Sequence, residues 1–337
     1  MKEKMLDLLA LMPCPLKVSF EKEITETIKT LNEYYDIHLE YKIVSNAVAQ
    51  TDIFEKISHC KDINELPNIM IAPGFSRFFY KEFVKLFRDK GKFSNILEQE
   101  TFLNLELIDI FDPDNYYSLI AFNPLVFLVD KTNNPKLPTP KKWGDLLTEE
   151  YEAKVAYRGH SDSQFCEGVL LNIYKELGDE GIFKLAKSVK CRLHPSQMVK
   201  FAGSKMKEAP AVSVIPYSFA CMVGKNKNVE IIWPEDGAII NPLVMLVKTD
   251  CSQAVKDLAN KIADKDIEEL FLAGGFFSIY NQENMHNMGE HFRWLGWDFI
   301  INNNLEEILD HLNQIMFNVI NTRNTTDLTK EGDFDCK

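Results

Sequence analysis

The chain has 337 residues, of which 45% are hydrophobic and 26% are charged, and its formal net charge is −12. This length predicts two domains with a substantial core. The acidic balance, without any cluster of lysine and arginine, argues against nucleic acid as a partner, and the lack of an apolar run of about 20 residues argues against membrane insertion.

The N-terminal residues could be mistaken for a lipoprotein export signal. Their apolar part, Met5 to Met12, is short and interrupted by Asp7, and Pro13 precedes Cys14 where a small residue is expected before a cleavage site. We therefore interpret this stretch as a short amphipathic helix. The sequence as it stands predicts a cytoplasmic chain, or a periplasmic or cell-surface chain if a leader was removed. Seven cysteines at scattered spacings indicate reduced thiols.

Strands and helices then alternate along the first part of the chain. Leu16 to Phe20 predicts a first strand, His38 to Val44 a second, and Ile69 to Ala72 a short buried strand. Such alternation predicts a parallel α/β sheet whose ligands bind beyond the carboxyl ends of the strands. The loop after the third strand is a candidate binding loop, although a simple strand-to-helix turn explains it equally well. Its residues are Gly74, Phe75 and Ser76.

A long apolar segment runs from Tyr116 to Asp130, and Pro124 interrupts it. Its length predicts two consecutive strands. A long extended passage between domains would be a natural hinge. A proline-rich connector from Lys131 to Lys142 follows, and leads to a helix from Trp143 to Leu147.

The polar loop after a strand at Val155 to Tyr157 is the strongest candidate ligand site. Ser161 followed three residues later by Gln164 fits a capping box, which predicts that a helix starts at Ser161. The start of a helix has free N–H groups and a partial positive charge that favour an anion. An ordinary capped helix with a solvated loop explains the same pattern. The candidate ligand residues are Arg158, His160, Ser161, Asp162 and Ser163.

Another candidate loop closes the strand predicted from Ala211 to Ile215, and its residues are Tyr217 and Ser218. Cys191 and His194 have half of a zinc-ligand spacing, but no second half follows at a suitable distance. A buried thiol explains that pair better, so we predict no metal site and no cofactor. The last predicted helix spans Leu305 to Met316, and a disordered tail is predicted from Asn321.

Sequence motifs of common enzyme classes are missing. The chain has no G-x-x-x-x-G-K-[ST], G-x-G-x-x-G, H-E-x-x-H or G-x-S-x-G. Catalytic triads are spatial rather than sequential, so catalysis is not excluded. We predict no catalytic residue and do not expect an enzyme.

Three further stretches of the sequence can be compared with known families by their order and spacing. They are Trp143-Gly144-Asp145-Leu146-Leu147 before Lys154-Val155-Ala156, Trp233 to Ala238 before Leu243 to Lys248, and Ala263 to Phe276. In order and spacing they resemble the solute-binding proteins of ABC importers with the type II periplasmic-binding fold, in the iron(III), thiamine and polyamine branch. The resemblance runs from about Leu16 to Phe317.

The resemblance implies an α/β fold of two lobes joined by crossing strands, with a ligand in the cleft between them and closure by hinge bending. The expected lobes are residues 1–118 with about 246–285, and residues 119–245 with about 286–320, followed by a disordered tail at 321–337. The candidate residues of all three loops would line the cleft.

The function implied is capture of a small solute by a monomer that serves an ABC permease. The polar loop predicts an anionic solute, and a cationic one such as a polyamine becomes the better prediction if Asp162 faces the cleft. Iron-binding members carry adjacent tyrosines where this chain has Tyr217-Ser218, so only one phenolate matches. An intracellular enzyme or sensor on the same fold is the alternative.

Overall fold

The computed structural model describes residues 5–45, 57, 60–75, 77–96, 109–159, 165–278 and 291–327. Within these residues the strands are β1 (Leu8–Met12), β2 (Tyr41–Ser45), β3 (Ile69–Pro73), β4 (Phe93–Ser94), β5 (Ser118–Asp130), β6 (Val155–Arg158), β7 (Val189–Leu193), β8 (Val212–Pro216), β9 (Val229–Ile232), β10 (Ala238–Lys248) and β11 (Phe292–Arg293). The helices are α1 (Cys14–Tyr35), α2 (Lys81–Phe83, continued by a π-helical turn at Val84–Arg88), α3 (Glu167–Ser188), α4 (Pro195–Phe201), α5 (Tyr217–Ala220), α6 (Gln253–Ile262), α7 (Lys265–Ala273), α8 (Trp297–Asn302) and α9 (Leu305–Asp327). Of these helices, none combines the length and the apolar character needed to cross a membrane.

The chain forms two compact units. The first unit comprises Met1–Pro124, Ile240–Glu290 and Gly296–Leu305, and the second comprises Leu125–Ile239, His291–Leu295 and Glu306–Lys337. Strands β5 and β10 each contribute residues to both units, because the unit bounds fall within them. The lobe bounds given above from the sequence stay a prediction.

The first unit contains a sheet in the order β2-β1-β3-β10. Strand β1 is parallel to β2 and β3, whereas β10 is antiparallel to β3. All five residues of β1 are buried, as are the first four of β3, which is typical of strands covered on both faces. Helices α1 and α7 pack together in the core of this unit, where the rings of Phe20 and Phe271 stack at 6.1 Å.

The N-terminal assignment from the sequence is wrong in both of its elements. Met5 to Met12 was predicted as a helix but ends in strand β1, and Leu16 to Phe20 was predicted as a strand but lies in α1. Pro15 is acceptable in the first turn of a helix, because the N–H that proline lacks has no intrahelical partner there. Leu16 and Phe20 also begin a run of buried residues at a spacing of four that continues through Ile24 and Ile28.

The second unit contains a sheet in the order β9-β5-β8-β6-β7. Strands β6, β7 and β8 are mutually parallel, and β5 is antiparallel to both β8 and β9. Strand β9 therefore runs in the same direction as β6, β7 and β8. The carboxyl ends of these four strands lie along one edge of the sheet, which we call the carboxyl edge.

Two further predictions from the sequence are corrected by the structure. The segment with Pro124 is one 13-residue strand, β5, and not two strands. Its pairing with β8 starts at Leu125, directly after the proline, so the missing N–H interrupts no bond of that ladder. The disordered tail predicted from Asn321 is wrong as far as Asp327, because α9 continues to that residue. Arg323 donates to the carbonyl oxygens at the end of α3 and the start of β7.

Candidate functional site

The carboxyl edge of the second unit collects several residues that the sequence placed in separate loops. The strands end at Arg158 in β6, at Leu193 in β7, at Pro216 in β8 and at Ile232 in β9. Gly159, His194, Tyr217 and Trp233 follow directly, in that order. Ligands of parallel α/β sheets bind beyond such an edge, so these residues form the candidate site.

Arg158 ends strand β6, and its charge acts on Cys166, the residue before helix α3. The Arg158 side chain is half-buried, and its register partner in β7 is Leu193. Burial raises the pKa of the Cys166 thiol, whereas the positive charge of Arg158 opposes that shift. Cys166 is the N-terminal cap residue of α3, and its side chain accepts no capping hydrogen bond. Arg158 therefore contributes positive charge close to the first turn of α3, a helix that Gly178 interrupts.

The helix start predicted at Ser161 is wrong. Helix α3 begins at Glu167, and Phe165 precedes it in an irregular segment. His160, Ser161, Asp162 and Ser163, the polar members of the candidate loop, lie outside the described residues, so their roles stay predictions. The capping-box pattern was misleading because the residue at the N-terminal cap is Cys166, whose side chain carries no oxygen acceptor.

The two ends of the candidate loop are tethered to different elements. The N–H of Gly159 donates to the Leu193 carbonyl at 3.4 Å, and the N–H of Phe165 donates to Oδ1 of Asn313 in α9 at 3.0 Å. Asn313 is 5% exposed, and its Nδ2 donates to the Leu309 carbonyl at 2.7 Å, which fixes the orientation of the amide. Strand β7 thus binds the Gly159 end of the loop, and helix α9 binds the Phe165 end.

Arg192 provides a second contact to the same end of the loop. Its guanidinium carbon lies 5.5 Å from the ring centroid of Phe165 and 5.0 Å from that of Phe317. Cation–π contacts at such distances are attractive by roughly 0.5–1 kcal/mol at exposed sites and more when desolvated. Space beside Arg192 is limited, because a Cβ atom on Gly159 would lie 3.2 Å from its Cδ. Glycine is therefore the residue that leaves Arg192 undisturbed there.

Tyr217 belongs to a group of half-buried aromatic rings at the carboxyl edge. Its ring meets that of Trp233 edge to face at 5.6 Å, and Trp233 meets Phe292 in the same manner at 5.4 Å. The Trp233 indole N–H donates to the His291 carbonyl at 2.7 Å. Ser218, by contrast, is 3% exposed. Tyr217 therefore presents a ring and a phenol at the edge, whereas the Ser218 side chain belongs to the interior.

His194 has a structural role at this edge. Its Nδ1 accepts a hydrogen bond from the N–H of Ser196 at 3.2 Å, and its own N–H donates to Oε1 of Gln197 at 2.8 Å. The Ser196 hydroxyl also lies 2.8 Å from Nδ1. His194 thus caps helix α4. Within the described part of the chain, no group of three or more His, Cys, Asp or Glu side chains is arranged to hold a metal ion.

The turn after Trp233 is held by a network of hydrogen bonds and charges. The Asp236 carboxylate accepts the N–H of Trp143 at 3.1 Å and lies 3.8 Å from Arg293, while the Trp143 indole N–H donates to the Gly237 carbonyl at 2.9 Å. Burial raises the pKa of Asp236, and the Trp143 N–H and Arg293 lower it in part. Arg293 also contacts Asn172 of α3 through Nε at 3.3 Å. This network connects the Trp-Gly-Asp segment to the aromatic rings at the edge.

The remaining candidate residues lie in the first unit. The N–H of Gly74 donates to the Pro242 carbonyl at 2.8 Å, and its φ of 82° is in the left-handed region that favours glycine. Phe75 is fully buried, with its ring 6.0 Å from that of Phe79. Ser76 lies outside the described residues. A ligand role for Gly74, Phe75 and Ser76 stays a prediction, and in this structure the Phe75 side chain serves the core.

Comparison with known proteins gives a match by family and by fold. The sequence profile described as bacterial extracellular solute-binding protein matches residues 64–303. No curated protein sequence matches the chain significantly.

Several solved structures have a similar fold. The apo ferric ion-binding protein A of Pasteurella haemolytica has a TM-score of 0.62 and 14% identity, with 93% of this chain and 98% of that chain covered. The ferric binding protein of Campylobacter jejuni has a TM-score of 0.63 and 15% identity, with 94% and 98% covered. An ABC transporter protein of Clostridium perfringens has a TM-score of 0.62 and 12% identity, with 93% and 100% covered. These likenesses confirm the α/β fold class that the sequence predicted.

Proposed function

This chain belongs to the bacterial extracellular solute-binding family, and from that premise we propose that it captures a small anionic solute at the carboxyl edge of its second unit. We infer the negative charge of the solute from Arg158. A half-buried guanidinium near the start of α3 favours a carboxylate or phosphate, because the fork of N–H donors and the dipole of the first helical segment both act on negative charge.

The aromatic rings of Tyr217 and Trp233 are the second part of the proposed site. Half-buried rings at the same edge provide apolar contact area for the body of the solute, while Arg158 binds its charged group. Ser161 and Ser163 remain proposed hydroxyl donors of the loop. Asp162 opposes an anion unless it points away from the solute or pairs with Arg158, and it therefore defines the alternative of a cationic solute.

A single phenolate at this position argues against iron(III) as the solute. Tyr217 is followed by Ser218, whose side chain is buried, so no second phenolate is adjacent to the first. Hard trivalent iron needs several anionic oxygen ligands. We infer that the similarity to ferric binding proteins extends to the fold and not to the cargo.

The partner that we propose is an ABC permease, with the chain acting as a monomer on the extracytoplasmic side of the membrane. The reasoning is that a protein which only binds its solute needs a transporter to deliver it. A binding protein releases its solute unchanged to a permease. An enzyme on the same fold would instead release a changed product, and a sensor on the same fold would need no permease.

Native mass spectrometry of the purified protein identifies a co-purified solute, and titration calorimetry then tests how it is held. Arg158→Gln should weaken an anionic solute by about 10- to 150-fold, the equivalent of about 1.5–3 kcal/mol for a hydrogen bond to a charged group. Lys22→Gln is the control, since it makes the same charge change on an exposed position of α1. Asp162→Asn should leave the affinity equal or higher.

Two outcomes would contradict the proposal. Equal affinities for Arg158→Gln and the Lys22→Gln control would show that Arg158 does not bind the solute. Loss of binding in Asp162→Asn, with spermidine binding better than phosphate or citrate, would show that the solute is a cation.

A further inference from the structure

A groove in the second unit is lined by none of the residues of the candidate site. Its volume is about 450 Å³, within the range of roughly 300–1,000 Å³ that is usual for small-molecule pockets. The lining residues are Leu128, Ala220, Val223, Gly224, Lys225, Asn226, Lys227, Val229 and Ile231. They come from β5, from the end of α5, from the turn after it and from β9.

The floor of the groove is aliphatic and joins the core of the unit. Leu128 and Ala220 are buried members of the core cluster, and Val223 and Val229 pack against it while remaining partly exposed. Ile231 is 38% exposed at the groove. Covering such a surface removes apolar area from water at about 25 cal/mol per Å². The floor therefore favours an aliphatic occupant over a polar one.

The rim of the groove carries two lysines in a fixed turn. Lys225 and Lys227 are exposed, and neither forms a hydrogen bond or ion pair with another described residue. Between them, Asn226 accepts the N–H of Asn228 at 3.0 Å through Oδ1 and the N–H of Val229 at 3.1 Å through its carbonyl. The turn is thus held by its own hydrogen bonds while both ammonium groups stay available.

The chemistry of the lining restricts the class of ligand. Every lining residue is aliphatic, glycine, asparagine or lysine, so the charge at the groove is positive in a chain whose net charge is −12. The lining contains no aromatic side chain to stack on a planar ligand and no carboxylate to bind an amine. An aliphatic floor ending at two free ammonium groups complements a flexible hydrocarbon chain that ends in a carboxylate.

We propose that this groove is a second binding site, which takes a single-chain aliphatic carboxylate. The hydrocarbon lies on Leu128, Val229 and Ile231, and the carboxylate lies between the side chains of Lys225 and Lys227. The site is independent of the solute proposed above, since it uses none of the residues assigned to that solute.

Decanoate is the probe, and 1-decanol and decyltrimethylammonium are its head-group controls in titration calorimetry. The two ionic compounds are kept below their critical micelle concentrations, and 1-decanol is kept below its solubility limit. Decanoate should bind at least tenfold tighter than either control. Each added methylene from octanoate to decanoate should tighten binding about two- to fourfold, the upper value corresponding to a fully buried CH₂. Raising the salt concentration should weaken decanoate and leave decanol unchanged, because salt screens the lysines.

Substitutions at the groove test whether decanoate binds there. The double variant Lys225→Gln with Lys227→Gln should weaken decanoate about tenfold or more and leave decanol unchanged. Lys22→Gln with Lys29→Gln is the matched control, since both lysines are exposed on α1 in the first unit. Ile231→Thr, at an exposed strand position, should weaken decanoate and decanol by the same factor of about two to five.

The proposal is overturned if decanoate does not bind, if it binds no tighter than decanol or decyltrimethylammonium, or if the two double variants behave alike. Circular dichroism of the variants checks their folding. Should the groove double variant fail to fold, the single variants Lys225→Gln and Lys227→Gln decide the question, because each removes one ammonium group of the groove and should still weaken decanoate but not decanol.

Discussion

Replacing Asn313 by leucine tests how helix α9 holds the end of the candidate loop. The change removes the oxygen that accepts the Phe165 N–H at 3.0 Å and keeps a side chain of similar volume. Asn313 is 5% exposed and Phe165 is 3% exposed, so water cannot replace the lost acceptor while the two residues remain buried. The Leu309 carbonyl that accepts from Asn313 Nδ2 lies within the same helix and keeps its backbone partner. One buried donor is therefore left without an acceptor.

An unsatisfied buried donor costs about 1–3 kcal/mol. Because the bond involves the Phe165 amide, we expect this loss in local opening at Phe165. Hydrogen exchange of the Phe165 amide should become about 5- to 150-fold faster in Asn313→Leu. Gln314→Leu is the control, since Gln314 is the exposed neighbour on the same helix. Equal exchange rates in the two variants would refute the idea that Asn313 anchors the loop.

Three other predictions concern single residues. Trp143→Phe removes the indole donor to the Gly237 carbonyl and should lower the free energy of unfolding by about 1–3 kcal/mol in urea titrations; an unchanged value would mean that this bond contributes nothing. Lys248 is 7% exposed, its Nζ donates to the Leu66 carbonyl, and burial lowers its pKa. The unfolded chain then keeps this proton to higher pH, so the natural protein should gain stability relative to Lys248→Met as the pH rises toward the ordinary lysine value, and a difference that does not vary with pH in urea titrations would contradict this. Elemental analysis of the purified protein should find less than one iron per chain; one iron per chain would restore Tyr217 as an iron ligand.

Local pattern predicted the elements that a single periodicity dominates. Strand β3 was predicted because its apolar run is short and bounded by a proline and a glycine, and α9 because its apolar residues recur at helical spacing over several turns. The N-terminal elements were interchanged because Leu8 to Met12 is apolar at every position, which a buried strand and a buried helix share. Only pairing of β1 with β2 and β3 decides between them, and that pairing is not local.

In the candidate site, too, positions set by a local segment could be predicted, whereas contacts between distant segments could not. The positions of Arg158 and Tyr217 at the carboxyl edge could be predicted, because Arg158 ends and Tyr217 directly follows a strand that the sequence marks clearly. Arg192 and Asn313 could not, since their roles depend on Phe165 and Phe317 coming together from distant parts of the chain. The start of α3 was misplaced because the pattern of serine and glutamine agreed with a four-residue spacing of apolar residues from Phe165, which lies outside the helix.

The attachment of the loop to α9 has a consequence for biosynthesis. Chains fold progressively from the N-terminus as they leave the ribosome. The loop after β6 emerges well before Asn313 exists, when the nascent chain can already form the bond from Gly159 to Leu193 and the contact of Arg192 with Phe165. The far end of the loop lacks its hydrogen bond to Asn313 while the chain passes through the first unit again at Ile240–Glu290. We therefore expect a chain released before α9 to form the parallel strands of the second unit and yet to retain no solute.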